Sequence, residues 1–558
     1  MNEKNADAIE VKCRNFLLEH NIIENHADIK KRENVLNLLR SLLSSFVRLT
    51  AKENGIKRDD FECQLLPFGS YGLGGYLKDA DIDVVLLAPI SIRRRNFSNH
   101  FSKLLKGHPS IREIEVIERT NVPIIKCVID SISIDISFVR LRLATVSPDI
   151  NLLDDSLLNG LEQTCLLSTD GPRVSQFILK HIYPNDLPTF RLALQCIKYW
   201  ANQRYIYNKP IGYLNGGSWT LLLLQVYFTK RAQFDSSSPN MTMEFPPQQQ
   251  RQSPFHYSSP PSSPTSILSS SSLSASSSSS QETSSIISPS RTVSFISLLE
   301  SFFEIWSTWP WPAPVILTKS IPNVPGQPTT EISSITTMSE FKESLLPIVT
   351  PCYPVSSAAP CVTKSTLRIL TRELQRANQI IHHPFHSLED MLIKLFKPYN
   401  FIKEYRHFLK VTVSSDVMKS HEIWGRRMTH YLYRLVKLVE QAPEIKTVHP
   451  LTKVYNESVS YRTKYEEDLL RQGYTVYDTD TTLPLFPGIL HMQYFLIGLE
   501  IDENYDLEDA TIDLTNEIYM FGREVESKKN SKDSDVSVAV SAIKRRDLAN
   551  LIQRCETI

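Results

Sequence analysis

Phe68-Gly69-Ser70-Tyr71-Gly72, followed by Asp79-Ala80-Asp81-Ile82-Asp83-Val84-Val85-Leu86, is the stretch on which the reading of this chain turns. Gly69 and Ser70 end a strand-like run and open a turn. Glycine there lets backbone approach a ligand closely, and the serine hydroxyl and free N–H groups can hold phosphate oxygens. Side chains alternate along a strand, so Asp81 and Asp83 project from one face. Two carboxylates so placed repel unless a cation bridges them, and an all-oxygen donor set selects Mg²⁺ (or Mn²⁺).

A third carboxylate lies in Ile132-Ser133-Ile134-Asp135-Ile136-Ser137-Phe138. Its apolar positions share one face, and Asp135 lies on the other, between Ser133 and Ser137; an Asp in such a run faces a site or solvent. Three carboxylates on neighbouring strands beside a Gly-Ser turn suit phosphoryl transfer assisted by two ions about 3.5–4 Å apart. Neither a G-x-x-x-x-G-K-[ST] loop nor an H-R-D loop occurs, which excludes a P-loop NTPase and a protein kinase.

Around this segment the patterning changes several times. Residues 8–54 carry apolar side chains at helical spacing, among them Ile9, Cys13, Phe16 and Leu17, then Val35, Leu36, Leu39, Leu43 and Phe46. Residues 61–136 read as an α/β segment, with strands over 63–68, 82–87, 114–117, 122–128 and 132–138 and a helix over 97–105. Helical patterns return over 154–229 and again from Val293, where Phe295, Leu298, Leu299, Phe302 and Trp306 share a face. Between them, residues 235–290 are dominated by Ser, Pro and Gln and are expected to form a disordered insertion. Beyond Pro351 a small α+β region is expected, with strands over 401–413 and 494–501 and a helix over 422–440. Residues from about Lys528 read as a loose tail.

The 558 residues, 41% of them hydrophobic, make a multidomain α+β chain. The expected domains are N-terminal helices (1–34) packing with the central domain, an α/β domain that carries the acidic stretch (35–155), the helical central domain (156–350), an α+β domain (351–525) and a flexible tail (526–558). Formal net charge is +0, so any nucleic-acid surface must come from local clustering. The 8 cysteines form no C-x-x-C pair, which leaves a zinc site or disulfide framework unsupported. The polar start Met1-Asn2-Glu3-Lys4 is no signal peptide, and no apolar run reaches membrane-spanning length, so no membrane association is expected.

Phe68-Gly69-Ser70, Ala80-Asp81-Ile82-Asp83, Val122-Pro123-Ile124-Ile125-Lys126 and Ile134-Asp135-Ile136 resemble the DNA polymerase β-like nucleotidyltransferases, and among them the eukaryotic nuclear poly(A) polymerases. The resemblance continues through Asp154-Asp155-Ser156-Leu157-Leu158, Phe190-Arg191-Leu192-Ala193-Leu194, Lys198-Tyr199-Trp200-Ala201, Gly216-Gly217-Ser218-Trp219, Trp309-Pro310-Trp311-Pro312 and Pro347-Ile348-Val349-Thr350-Pro351. It implies a polymerase β-like nucleotidyltransferase α/β domain, a helical central domain and a C-terminal RRM-like α+β domain. It also implies template-independent addition of AMP from ATP to RNA 3′ ends, with two Mg²⁺ (or Mn²⁺) ions, in the nucleus and within a 3′-end processing complex.

By this resemblance Asp81, Asp83 and Asp135 are the catalytic metal ligands, with Asp135 nearest the attacking hydroxyl. Phe68, Gly69 and Ser70 line the nucleotide site, Lys198 and Tyr207 contact the triphosphate, and Gly216 and Gly217 pack against the base. The chain departs from the family's pattern at Leu77, where Thr is usual, at Asp170 and Lys209, where Asn is usual, and at Gly217, where Val is usual. Asn donates and accepts, ionised Asp only accepts and Lys only donates, so base reading is expected to differ from that of relatives.

RNA contact is expected from Lys403, Arg406, His407 and Lys410 on a strand-like run and from Arg426, Arg427, Arg434 and Lys437 on a helix. No aromatic RNP signature accompanies them. Lys528-Lys529 and Lys544-Arg545-Arg546 form a candidate split nuclear signal. Two other readings stay open: a uridylyl- or other terminal nucleotidyltransferase on the same scaffold, and an inactive RNA-binding paralogue.

Overall fold

Five strands make the sheet that carries the acidic stretch: β1 (Gln64–Phe68), β2 (Ile82–Ala88), β3 (Ile111–Ile117), β4 (Ile124–Ile129) and β5 (Ile132–Arg140). The computed structural model describes residues 3–55, 62–236, 292–476, 484–505 and 512–557. Strand order is β1-β2-β5-β4-β3, with β2 and β5 parallel and the other pairs antiparallel. β2 is apolar almost throughout because both of its faces are covered. On one face Ile82, Val84 and Leu86 join Ile134, Ile136 and Phe138 against Val35, Leu39 and Phe46 of the His26–Asn54 helix. On the other, Val85, Leu87 and Val139 pack with Leu152 and Cys165. The His26–Asn54 helix starts where Asn25 accepts hydrogen bonds from the N–H groups of Ala27 (2.8 Å) and Asp28 (3.1 Å). It runs without a break across the expected 34/35 boundary. The preceding helix, Glu3–Glu19, buries Cys13, Phe16 and Leu17 in the core of the central helices.

That central core is built by helices Gln163–His181, Leu187–Gln203, Gly216–Ser236, Phe295–Thr308 and Lys364–His382. Its apolar contacts continue into the third region, reaching Val411, Trp424 and Phe495. The third region is a second five-stranded sheet of β6 (His407–Ser415), β7 (Ile445–Pro450), β8 (Tyr455–Thr463), β9 (Leu485–Ile501) and β10 (Val536–Ile543). The order is β10-β6-β9-β7, with β8 pairing β9. Helices Met418–Val439 and Thr515–Glu526 follow β6 and β9, so apart from β8 and the Lys464–Arg471 helix the chain runs βαββαβ up to β10, the split-βαβ arrangement behind the RRM-like expectation.

Three expectations are corrected. Residues 526–558 are no loose tail: β10 pairs β6 from Val536↔Ser415 to Ile543↔Phe408, and helix Arg545–Thr557 buries Leu548 and Leu551. Their short β-branched run, flanked by Lys and Ser, hid a strand that becomes evident only beside β6. Residues 401–404 are a helical turn, with Asn400 accepting from the Lys403 N–H, and the strand begins at His407. β9 begins at Leu485, well before Tyr494. The expected insertion lies outside the described residues from 237 to 291. The eight cysteines are free. Among the described residues, no helix is long and apolar enough to cross a membrane.

Deleting residues 536–558 would strip the β6 edge and remove two buried leucines, each contributing roughly 1.5–3 kcal/mol. Thermal unfolding of the truncated chain should show a melting temperature at least about 10 °C lower, or an insoluble product. A dispensable tail would leave it unchanged.

Candidate active site

Register brings the acidic groups together. Asp83 lies opposite Asp135 across the parallel β2/β5 pair, and Phe68 lies opposite Asp83 across β1/β2. Asp81, one residue before β2, completes a triad whose carboxylate oxygens lie within 4.8 Å of one another. These groups share the strand face of Val85, Leu87 and Val139, which is apolar further along and acidic at the start of β2. Burial, and then the neighbouring Asp81 and Asp135 charges, push the Asp83 carboxyl up to about 7. Three carboxylates crowded in this way fit divalent cations with oxygen ligands.

Gly69 sits directly against the triad at φ 62°, and a Cβ there would lie 2.7 Å from Asp83 Oδ2. Only glycine allows both the left-handed backbone and that approach. The Gly69 N–H donates to Ser175 Oγ at 3.0 Å. Phe68 turns its ring away to pack against Gly171, so it supports the site instead of lining it.

The Leu187–Gln203 helix holds the next loop by three carbonyls. Arg191 Nε donates to Leu73 O (2.6 Å), Gln195 Nε2 to Tyr76 O (3.0 Å) and Lys198 Nζ to Gly75 O (2.8 Å). These positions recur on one helical face, which explains polar residues in an otherwise apolar helix. Lys198 is 3% exposed, and burial pulls its ammonium down to about 8 against the opposing pull of Asp81 and Asp83. The Tyr207 phenol is pushed up to about 12, chiefly by burial, so it stays a neutral donor at ordinary pH. A Cβ on Gly216 would stand 2.5 Å from the Tyr207 hydroxyl and 3.3 Å from Lys198 Cε, so the Lys198–Tyr207 pair needs glycine there.

These groups open into a cavity of about 360 Å³. At one end stand Gly69, Ser70, Asp81, Asp83, Lys198 and Tyr207; the remaining wall includes Asp170, Lys209, Asn215, Gly217 and Thr350. Three departures from the family's pattern, Asp170, Lys209 and Gly217, lie in that wall. Asp170 Oδ1 is shielded from solvent and accepts no hydrogen bond, and burial raises its carboxyl to about 6. Gly217 leaves space, since a Cβ there meets only Asn215 Oδ1 at 3.5 Å. Leu77 packs instead against the central core and is absent from the wall.

Lys126 is the residue that sequence reading left without a role. It lies opposite Asp135 across β4/β5, with Nζ 2.7 Å from Asp135 Oδ2. Alternation with buried Ile125 and Cys127 could have placed it on the acidic face, had the β4/β5 pairing been known.

The expected RNA contacts separate into two groups. Lys403, Arg406 and His407 are exposed. Lys410 is not: it donates to Gly473 O at 2.8 Å and lies over the Tyr494 ring, beneath the segment and terminal helix that cover this sheet face. The face on which an RRM stacks bases is thus an internal core here, which takes Lys410 out of the RNA candidates. On the Met418–Val439 helix, Arg426 pairs with Glu115 (3.6 Å), Arg427 with Asp533 (3.7 Å) and Arg434 with Glu524 (3.6 Å), while Lys437 lies over Tyr433. In the basic clusters near the C-terminus, Lys529 pairs with Glu526 and Arg545 donates to the Tyr405 carbonyl.

Three family models together match most of the chain. Residues 8–182 match the poly(A) polymerase nucleotidyltransferase domain, and residues 189–231 and 287–398 the poly(A) polymerase central domain. Residues 400–556 match the poly(A) polymerase predicted RNA binding domain. Poly(A) polymerase PAPalpha of Candida albicans is 28% identical over 496 residues, spanning 86% of this chain and 76% of its own. Poly(A) polymerase pla1 of Schizosaccharomyces pombe is 27% identical over 479 residues, spanning 84% and 72%. A solved structure of the Cid1 RNA terminal uridylyl transferase covers 70% of this chain and 99% of its own, at 16% identity and a TM-score of 0.41.

The charge state of the triad has a thermodynamic consequence. The folded protein keeps a proton on Asp83 that the unfolded chain releases near its ordinary value of 3.8. Metal-free protein therefore loses stability as pH rises from about 4 to about 7, by up to about 4 kcal/mol. Asp83→Asn should raise the metal-free melting temperature at pH 8 and change it little at pH 4.5. Equal shifts at the two pH values would contradict this account.

Proposed function

We propose that this chain, which belongs to the poly(A) polymerase family, extends RNA 3′ ends without a template, taking AMP from ATP and releasing pyrophosphate. The observation that carries the reading is the Asp81–Asp83–Asp135 triad, two of whose carboxylates, Asp81 and Asp83, line a cavity together with Lys198 and Tyr207. Two divalent ions, Mg²⁺ or Mn²⁺, held by the triad would supply Lewis acidity at the attacking 3′ oxygen and the leaving pyrophosphate. The chain's own groups do the rest. Lys198 offers an ammonium and Tyr207 a hydroxyl donor to the triphosphate, and neither has to reorganise, since packing fixes both. Lys126 holds the Asp135 carboxylate in place beside the incoming 3′ hydroxyl. In the reaction the 3′ oxygen bonds to the α-phosphorus while the bond to the β,γ-pyrophosphate breaks.

The RNA 3′ end enters from the acidic side of the cavity, and exposed Lys403 and Arg406 are the candidates for holding the upstream strand. The setting we propose is mRNA 3′-end processing in the nucleus, with a specificity factor recruiting the enzyme, because no base-reading surface for RNA is evident among the described residues.

A second feature concerns the nucleotide. Asp170 presents an unsatisfied acceptor, Lys209 only donates, and Gly217 leaves room, so discrimination among bases rests on groups unlike the usual ones. We expect ATP preference to be looser than in close relatives, with measurable UTP incorporation.

Primer extension with each NTP separately tests both points. Tails with ATP, abolished in an Asp81→Ala, Asp83→Ala double variant, are the expected result. Tails with another nucleotide alone would move the assignment to that transferase, and no extension by the wild type would favour an inactive RNA-binding protein. Asp170→Asn should change the ATP:UTP ratio by about tenfold, the effect of one buried hydrogen bond, while leaving total turnover within about threefold. An unchanged ratio would remove Asp170 from base selection.

A further inference from the structure

Tyr207, Lys209 and Asn215 reach the cavity from one loop, residues 204–215, between the Leu187–Gln203 and Gly216–Ser236 helices. The loop closes on itself: Tyr207 bridges Leu214, and the Tyr213 N–H donates to Asn208 O at 3.1 Å. Its outer side is tied elsewhere. At its start Arg204 is buried, donating through Nε to Glu373 Oε2 (2.6 Å), through Nη2 to Glu373 Oε1 (3.1 Å) and through Nη1 to Lys397 O (2.8 Å). Its guanidinium also lies over the Tyr399 ring, and the Tyr399 N–H donates to Gln203 O. Tyr205, at φ 55°, packs into the core of the third region. Near the loop's end, fully buried Tyr213 donates its hydroxyl to Pro450 O, at the end of β7, at 3.2 Å. Next to Pro450, His449 Nδ1 and the Tyr405 hydroxyl share a hydrogen bond, and the Tyr405 and Tyr399 hydroxyls both accept from Arg372.

We infer that Arg204, Glu373 and Tyr213 are positioning residues that hold Tyr207 and Lys209 at the nucleotide, through the central Lys364–His382 helix at one end of the loop and through β7 of the third region at the other. This rests on the nucleotide reading of the cavity. The physical case is that a loop of this length, without helix or strand over most of its course, samples many conformations unless both ends are fixed. Here one end is fixed by a bidentate buried ion pair and the other by a buried tyrosine hydroxyl, both on elements outside the catalytic sheet. Removing one partner of a buried ion pair leaves the other charge uncompensated, so the loop and not only the contact is displaced. A displacement of about 1 Å is enough to weaken a reacting-group contact severely.

The test is a double-variant cycle of Glu373→Gln with Tyr207→Phe, on the full chain, below the melting temperature of each variant. Wild-type saturation by ATP is measured first, and its absence would sink the nucleotide reading itself before any variant is compared. Given saturation, Glu373→Gln should raise KM for ATP on the order of tenfold, with kcat within about threefold and KM for the RNA primer unchanged. In the Tyr207→Phe background its effect should shrink to about twofold, because Glu373 acts through that side chain. An unchanged ATP KM in folded Glu373→Gln, or a full tenfold effect persisting in the Tyr207→Phe background, overturns the inference. If Glu373→Gln does not fold, Tyr213→Phe, which removes a single hydroxyl, takes its place in the cycle. Its expected ATP KM increase is about threefold, and the same two outcomes decide.

Discussion

Everything at the site depends on holding three like charges together against their repulsion. The β2/β5 pairing does this by setting Asp83 opposite Asp135, and it is anchored by apolar contacts on both sheet faces. A one-residue slip would turn Asp83 into the core and Val84 toward the cavity, so the apolar pattern that stabilises the sheet also enforces the acidic cluster. The cost appears in the raised Asp83 carboxyl, a local destabilisation that a native sheet tolerates because the rest of it is well packed. Lys126, placed by the next ladder, offsets part of that charge.

The remaining parts are arranged around that fixed point by helices. The Leu187–Gln203 helix uses Arg191, Gln195 and Lys198 to grip the carbonyls of Leu73, Tyr76 and Gly75, which couples the first and second regions beside the cavity. One of those three groups, Lys198, is also the phosphate partner in the proposed reaction, so a single buried ammonium serves interdomain contact and substrate alike. Its burial depresses its proton affinity while the triad raises it, and the balance leaves it largely charged near neutrality.

How much of this could be read from the residues follows from the range of each interaction. The period-two runs at 82–87 and 132–138 and the Gly-Ser turn are local patterns, and they located the triad before any pairing was known. Lys126 and β10 were missed because each acquires meaning only beside a partner strand, β5 for one and β6 for the other. Lys410 misled for the same reason. A lysine on an alternating strand reads as solvated, and nothing nearby in the chain discloses that Gly473 and Tyr494 lie over it. The family resemblance supplied roles for Lys198 and Tyr207, which spacing alone could not assign. It could not foresee that Phe68 would support the cavity from behind.

The proposed chemistry and the proposed choice of base thereby rest on different kinds of structure. The triad depends on strand register and two packed faces, where nearly any change is costly. The rest of the wall is made from a helix interior, a loop and a helix start: Asp170 near the middle of one helix, Lys209 and Asn215 on the 204–215 loop, and Gly217 at the start of the next helix. Substitutions there alter hydrogen-bonding character or free volume without touching a ladder. A chain can therefore keep its three carboxylates intact while the rest of the cavity wall departs from the usual pattern, as this one does.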